Sequence, residues 1–203
     1  MTVHGIHADP PVKNTLELKD HLARRGHLIR QMLGPLADGL KYCCLEEYVF
    51  AKGRSFATPR AVPWDCAFMP DGRCFSNARA LTAWSRGELS YVEGFAGTNG
   101  VHHACCVDTE GEVWDLTGEF EFTGPMFACA FPNVFDRMDA ALNSKHWPII
   151  KRLIDAYHPT YTMGSVLAIY AGLTTVEDRV GIVGPWLTAQ HIGRCLAAKK
   201  KKG

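Results

Sequence analysis

A chain of 203 residues, 47% of them hydrophobic, can bury one substantial core but is too short for two full domains. Its formal net charge of +1 supplies no global field that would recruit nucleic acid or an anionic membrane. No apolar run reaches the roughly 18 residues of a membrane span, and Met1-Thr2-Val3-His4-Gly5 lacks the charged start and apolar stretch of a secretory signal, so a cytoplasmic location is expected.

The first predicted element is a helix over 14–33, where Leu16, Leu18, Leu22, Leu28, Ile29, Met32 and Leu33 alternate with charged residues and Gly34-Pro35 stops the run. A shorter apolar stretch, 36–50, completes a helical N-terminal segment over 14–50. From 51 to 72 the chain is rich in Gly, Pro and Arg and reads as a long surface connection. A helix over about 75–86 follows, which places Cys74 at a helix start. Strand-like runs at 89–96, 102–108, 112–117 and 126–131, separated by turn residues, predict an antiparallel meander. The C-terminal part, 134–198, reads as mainly helical, with helices at 134–142, 147–157 and 186–198 and breaks near Gly164, Gly172, Gly181 and Gly184. Lys199–Lys202 form a basic tail within 199–203, expected to be a solvated end. The expected architecture is a single α+β domain over 1–203, whose central part, 73–131, packs a helix on an antiparallel sheet.

Eight cysteines invite a disulfide framework, but the adjacent pairs Cys43-Cys44 and Cys105-Cys106 suit bridging poorly and a core of this size needs no staples. Reduced thiols are expected. Among them Cys74 stands apart, because a helix start offers unpaired N–H groups and the positive end of the macrodipole. His102 and His103 follow on one predicted strand and Asp115 on the next. A thiol, an imidazole and a carboxylate are the set that makes cysteine a nucleophile at neutral pH: the imidazole removes the thiol proton and the carboxylate orients the imidazole. Cys74, His103 and Asp115 are the expected catalytic residues.

Strand parity favours His103 over His102. Alternate residues face opposite ways, so a three-residue turn at Thr109-Glu110-Gly111 keeps odd-numbered residues of both strands on one face and brings His103 to Asp115. A two- or four-residue loop would favour His102, which otherwise reads as a pocket or structural histidine. Glu93 reads either as a solvated strand residue or as one lining the cleft. Asn77, one turn beyond Cys74, and Arg73 beside it are candidate oxyanion donors, as is the backbone N–H of Cys74; Asn77, His102 and Glu93 together form the substrate-binding or oxyanion set. Trp64, Trp84 and Trp114 are expected in the core. A zinc site built from Cys66, Cys74, His102, His103, Cys105 and Cys106 is not expected, since no Cys-x2-4-Cys or His-x3-5-His pair is present and strand neighbours point apart. No metal and no cofactor are called for.

A nucleophilic Cys opening a helix, followed by antiparallel strands carrying His and then Asp, resembles the papain-like and transglutaminase-like cysteine enzymes. His103-Ala104-Cys105 resembles their His-Ala-Trp step with Cys in place of Trp. More narrowly, Cys74-Phe75-Ser76-Asn77-Ala78, Tyr91-Val92-Glu93-Gly94, His102-His103-Ala104 and Asp115 resemble, in this order, a group of uncharacterised bacterial and bacteriophage proteins. Asp71-Gly72-Arg73-Cys74-Phe75 is similar in part to the approach to Cys in arylamine N-acetyltransferases. The papain pattern has a Gln upstream of the nucleophile, and the chain has only Gln31 and Gln190. The resemblance implies a papain-like or transglutaminase-like fold and a thiol-dependent hydrolase or acyltransferase acting on a protein, peptide or small amide or thioester. An inactive scaffold with a binding, inhibitory or structural role, phage-encoded or not, is the alternative. Neither a membrane nor nucleic acid is an expected partner.

Overall fold

The computed structural model describes residues 13–57, 73–97, 100–117, 126–157 and 161–179. Its elements in chain order are α1 (Lys13–Leu33), a 3-10 turn (Gly34–Ala37), α2 (Leu45–Lys52), β1 (Arg54–Phe56), α3 (Cys74–Trp84), β2 (Ser90–Ala96), β3 (Val101–Val107), β4 (Val113–Trp114), β5 (Met126–Phe131), α4 (Val134–Leu142), α5 (Trp147–Tyr157) and α6 (Met163–Arg179). The class is α+β, with one antiparallel five-stranded sheet among the described residues. No described helix is long and apolar enough to cross a membrane. The predicted helix over 186–198, the tail 199–203, Trp64 and Cys66 lie outside the described residues. The six described cysteines, Cys43, Cys44, Cys74, Cys105, Cys106 and Cys129, are all free thiols.

The strand order is β1-β5-β2-β3-β4, so only β2, β3 and β4 form a meander. The expected fourth run of the meander, β5, instead pairs with the other edge of β2, from Tyr91 opposite Phe131 to Ala96 opposite Met126. Burial explains the choice. Tyr91, Val92, Phe95 and Ala96 on β2 are all within 1% of complete burial, as a central strand covered on both faces requires, whereas β4 offers only two residues to pair with. A further strand, β1, lies inside the stretch expected to be a surface connection and pairs with β5. Three residues are too few for alternation to register as a pattern.

The sheet separates two apolar clusters. On one face Tyr91 and Phe95 of β2, Ala104 and Cys106 of β3, and Phe127, Cys129 and Phe131 of β5 join the helices in the larger core. On the other, Val92, Ala96, Cys105, Val107, Val113, Met126 and Ala128 close over Phe56 of β1. Helix α1 sends Leu18, Leu22, Ile29 and Leu33 into the larger core and leaves Leu16, Leu28 and Met32 exposed, because those three fall off the buried stripe. Trp84, expected in the core, is 66% exposed at the end of α3, while Trp114 packs partly against the larger cluster.

Gly164 and Gly172 were expected to break the C-terminal helices, but both lie inside α6. Close approach accounts for them. A Cβ on Gly172 would lie 2.4 Å from the carbonyl oxygen of Tyr42 and 2.8 Å from its nitrogen, backbone atoms that cannot swing aside. Replacing a helical Gly by Ala ordinarily gains about 0.5–1 kcal/mol, and overpacking costs about 1–3 kcal/mol. Gly172→Ala is therefore expected to lower the urea midpoint; a midpoint that rises would show that α6 does not press on the Tyr42 backbone.

Candidate functional site

Helix α3 starts at Cys74 because the first intrahelical bond runs from the Asn77 N–H to the Arg73 carbonyl, at 2.9 Å. The N–H groups of Cys74, Phe75 and Ser76 consequently have no acceptor within the helix. Arg73 caps the helix without a side-chain hydrogen bond and is exposed. Cys74 itself is 8% exposed. The helix is stitched along β3: the Thr82 hydroxyl bonds the Ala78 carbonyl at 2.9 Å and meets the Cys106 sulfur at 3.2 Å, and the Cys106 thiol donates to the Ala78 carbonyl. At the other end, Phe75 meets the ring of His102, which places Cys74 beside the histidine end of β3.

The turn between β3 and β4 has the three residues 109–111. Asp108 N–H bonds the Glu112 carbonyl at 3.1 Å, Gly111 N–H bonds the Asp108 carbonyl at 3.2 Å, and Gly111 takes the left-handed φ of 92°. Asp108, a residue the sequence reading passed over, organises this turn. Its carboxylate accepts the N–H groups of Glu110 and Glu112 at 3.0 and 2.8 Å and the indole N–H of Trp114 at 3.0 Å, and these bonds hold it below the usual carboxylate range, the indole first. An Asp opening a turn that ends on Gly was the available signal.

With that parity, His103 and Asp115 meet. Nε2 of His103 lies 2.5 Å from Oδ2 of Asp115, and Oδ1 accepts the Thr117 N–H at 2.9 Å. An ionised carboxylate only accepts, so Nε2 carries a proton and Nδ1 is the ring nitrogen left for the Cys74 thiol, with which His103 also shares a hydrogen bond. Burial would lower the histidine value, but the bonds to Asp115 and Cys74 outweigh it and raise His103 to about 9. Burial likewise opposes ionisation of Asp115, and the His103 and Thr117 bonds overcome it, holding the carboxyl below its ordinary range.

Asn77, a candidate oxyanion donor, is 2% exposed and turns its amide to the Thr117 hydroxyl at 3.2 Å. It thereby ties the first turn of α3 to the segment that carries Asp115. His102 lies on the opposite face of β3 from His103, with Nε2 2.9 Å from Glu93 Oε1. Glu93 is neither solvated nor a donor: it is completely buried, and the bonds from His102, Thr162 and Tyr91 overcome the burial penalty and keep its carboxyl below the ordinary range. As an ionised acceptor it cannot stabilise an oxyanion.

Of the residues weighed for zinc, the neighbours Cys105 and Cys106 fall in different clusters, on opposite faces of β3 as strand geometry requires. Elsewhere, ligand atoms of Cys43, Cys44 and Glu47 lie within 4.8 Å of one another. The Glu47 carboxylate there is already gripped by the Arg30 guanidinium at 2.5 and 2.6 Å and by the Cys43 N–H at 2.9 Å, which reads as an ion pair anchoring the turn after α1.

Comparison of the chain with family models, curated proteins and solved structures returns no match.

A folded-state value above the unfolded one means that native protein binds the extra proton, so the His103 contribution is fully present below the ordinary histidine value of about 6.5 and is lost as pH rises to about 9. Stability is expected to fall by on the order of 3 kcal/mol across that window. His103→Gln should flatten the slope; denaturant midpoints measured at intervals through the window check it, and an unchanged slope in the variant would assign the titration elsewhere.

Proposed function

We propose that the protein is a thiol-dependent hydrolase or acyltransferase of papain-like or transglutaminase-like type, acting on an amide, isopeptide or thioester. The observation that carries this reading is the position of His103, which shares one ring with the Cys74 thiol and the Asp115 carboxylate. Its support from the fold is the order of parts: a nucleophile at a helix start, packed on antiparallel strands that bring the base and then the orienting acid.

In this reading Nδ1 of His103 already holds the Cys74 proton, since the raised histidine value favours the imidazolium, and the sulfur attacks the carbonyl carbon while the carbonyl electrons move onto oxygen. The N–H groups opening α3 are the donors for that oxyanion, each worth about 2.7–4 kcal/mol in comparable sites. Collapse of the tetrahedral intermediate breaks the bond to the leaving group, which receives the proton from His103 and leaves a thioester on Cys74. Water or an amine then attacks that thioester, with His103 again as base. Asp115 keeps the Nε2 proton in place, so that Nδ1 is the nitrogen that exchanges the catalytic proton, and it stabilises the imidazolium. Asn77 acts through Thr117, keeping Asp115 in register with the nucleophile.

Iodoacetamide at pH 6 is expected to label Cys74 before any other thiol. Mass-mapped labelling led by Cys43 or Cys129, with Cys74 inert, would remove the nucleophile.

Turnover of acyl and peptide substrates should vanish in Cys74→Ala. Asp115→Asn should lower it by roughly 10³–10⁴-fold, because the Asn amide donates to Nε2 and forces the proton onto Nδ1. A Cys74→Ala protein that keeps its full cellular effect and melting temperature would make the chain a binding, inhibitory or structural scaffold instead.

A further inference from the structure

Glu93 sits on the central strand β2 with no exposed surface. A carboxylate in that position persists in ionised form only if donors surround it. Several elements supply them: the Tyr91 hydroxyl from the same strand at 2.6 Å, Nε2–H of His102 from β3 at 2.9 Å, the Gly164 N–H from the first turn of α6 at 2.9 Å, and the Thr162 hydroxyl just ahead of that helix. Thr162 also caps α6, its oxygen accepting the Ser165 N–H at 3.2 Å, so the positive end of the helix points at the carboxylate. Gly164 is required at this contact, since a Cβ there would lie 2.6 Å from the carboxyl carbon of Glu93 and 2.8 Å from each oxygen.

Of these partners His102 reaches the candidate site through ring contacts. Its ring stacks on Phe95, with centroids 5.1 Å apart and planes at 21°, and meets Phe75 edge-on at 4.7 Å and 65°. Phe75 adjoins Cys74, and His103 follows His102 on the other face of the strand. Consecutive imidazoles on β3 are thus each held by a carboxylate, His102 by Glu93 and His103 by Asp115.

We propose that Glu93 is a positioning residue of the Cys74 site: by holding His102 it selects the register of β3 that presents His103 to the thiol and steadies the Phe75 end of α3. The inference rests on the functional reading above. Asp115 cannot select that register, because it stands on the same hairpin as His103 and travels with it. Glu93 stands on β2 and supplies the reference across the strands, where His102 lies opposite Phe95 and His103 opposite Gly94. A slip of one residue exchanges the two faces of β3; where it brings Val101 to the place of His102, the buried carboxylate is left one donor short. Among the described residues, the titratable groups around Glu93 are Tyr91 from β2, His102 from β3 and Cys129 opposite it on β5; Cys74 lies within electrostatic reach of the Tyr91 hydroxyl.

The test compares wild type with Glu93→Gln, which keeps the volume but replaces one acceptor oxygen by a donor, and with Gly164→Ala, which presses a methyl group onto the intact carboxylate. Two readouts are taken on folded protein: the rate of Cys74 alkylation by iodoacetamide across pH, and the ¹⁵N ring spectra of the histidines. Wild type should show His102 protonated on Nε2. Glu93→Gln should lose that signature and slow Cys74 alkylation roughly tenfold to a hundredfold with a displaced pH profile, and Gly164→Ala should move both in the same direction. A residue that merely stabilises the fold would lower the melting temperature and leave the rate and profile untouched, and that result in both variants overturns the proposal. If Glu93→Gln does not fold, Gly164→Ala decides by the same two readouts. If Cys74 is unreactive in wild type and His103→Ala changes nothing, the functional reading fails; the ring spectra still decide the register, with an unchanged His103 signal in Gly164→Ala ruling the proposal out.

Discussion

The site depends on parity across one hairpin. His103 and Asp115 share a hydrogen bond of 2.5 Å only because the turn between them has three residues, with Gly111 in the left-handed region and Asp108 collecting the donors that the turn leaves over. One residue more or less would bring His102 to that face and leave Asp115 opposite the wrong ring. Gly111 therefore has a consequence well beyond its own turn: a side chain there is strained by the positive φ, and the relaxed alternatives change loop geometry and hence which imidazole is presented.

Carboxylates buried or half-buried at element junctions are the second organising feature. Glu46 is 1% exposed and joins three helices, taking Arg25 of α1 at 2.9 Å and the Tyr157 hydroxyl of α5 at 3.1 Å on one oxygen while the other has no partner. Glu47 draws Arg30 across the turn after α1, and the same guanidinium also donates to the carbonyls of Ala37 and Leu40. Such pairs add little net stability, because desolvating the carboxylate offsets much of the attraction and the arginines keep part of their contact with water. What they do is penalise misplacement: an element that shifts leaves a charge buried and unpaired, and that costs several kcal/mol. The helices around the sheet are held in place by the cost of moving them.

Long periodic elements were legible in the sequence because their signal is local. Helices α4 and α5 occupy 134–142 and 147–157, the expected spans, and α1 and β5 fall where their patterns put them. The parity of His103 was legible too, since it needed only a turn length and a glycine. The partners of β5 and the existence of β1 were not legible, because pairing is decided by burial of β2 on both faces, which no alternation within β5 records. Glycines misled for a related reason. Gly164 and Gly172 read as helix breakers by propensity, yet one makes room for a carboxylate from β2 and the other for the backbone at Tyr42. Propensity describes a residue's own backbone; both glycines are set by a neighbour distant in sequence.

The same limit explains why Glu93 read as a solvated or cleft-lining residue. Between Val92 and Gly94 on a strand, a Glu signals an outward face, unless the strand is central and a helix end lies over it. The helix in question, α6, begins some seventy residues later and was itself hidden by its glycines. The two misreadings are therefore one: once α6 is allowed to run through Gly164, its first N–H groups and the Thr162 cap need an anion, and Glu93 is the anion β2 supplies. That contact also leaves His102 committed to Glu93, so that the imidazole beside Cys74 on the other face of β3 is His103.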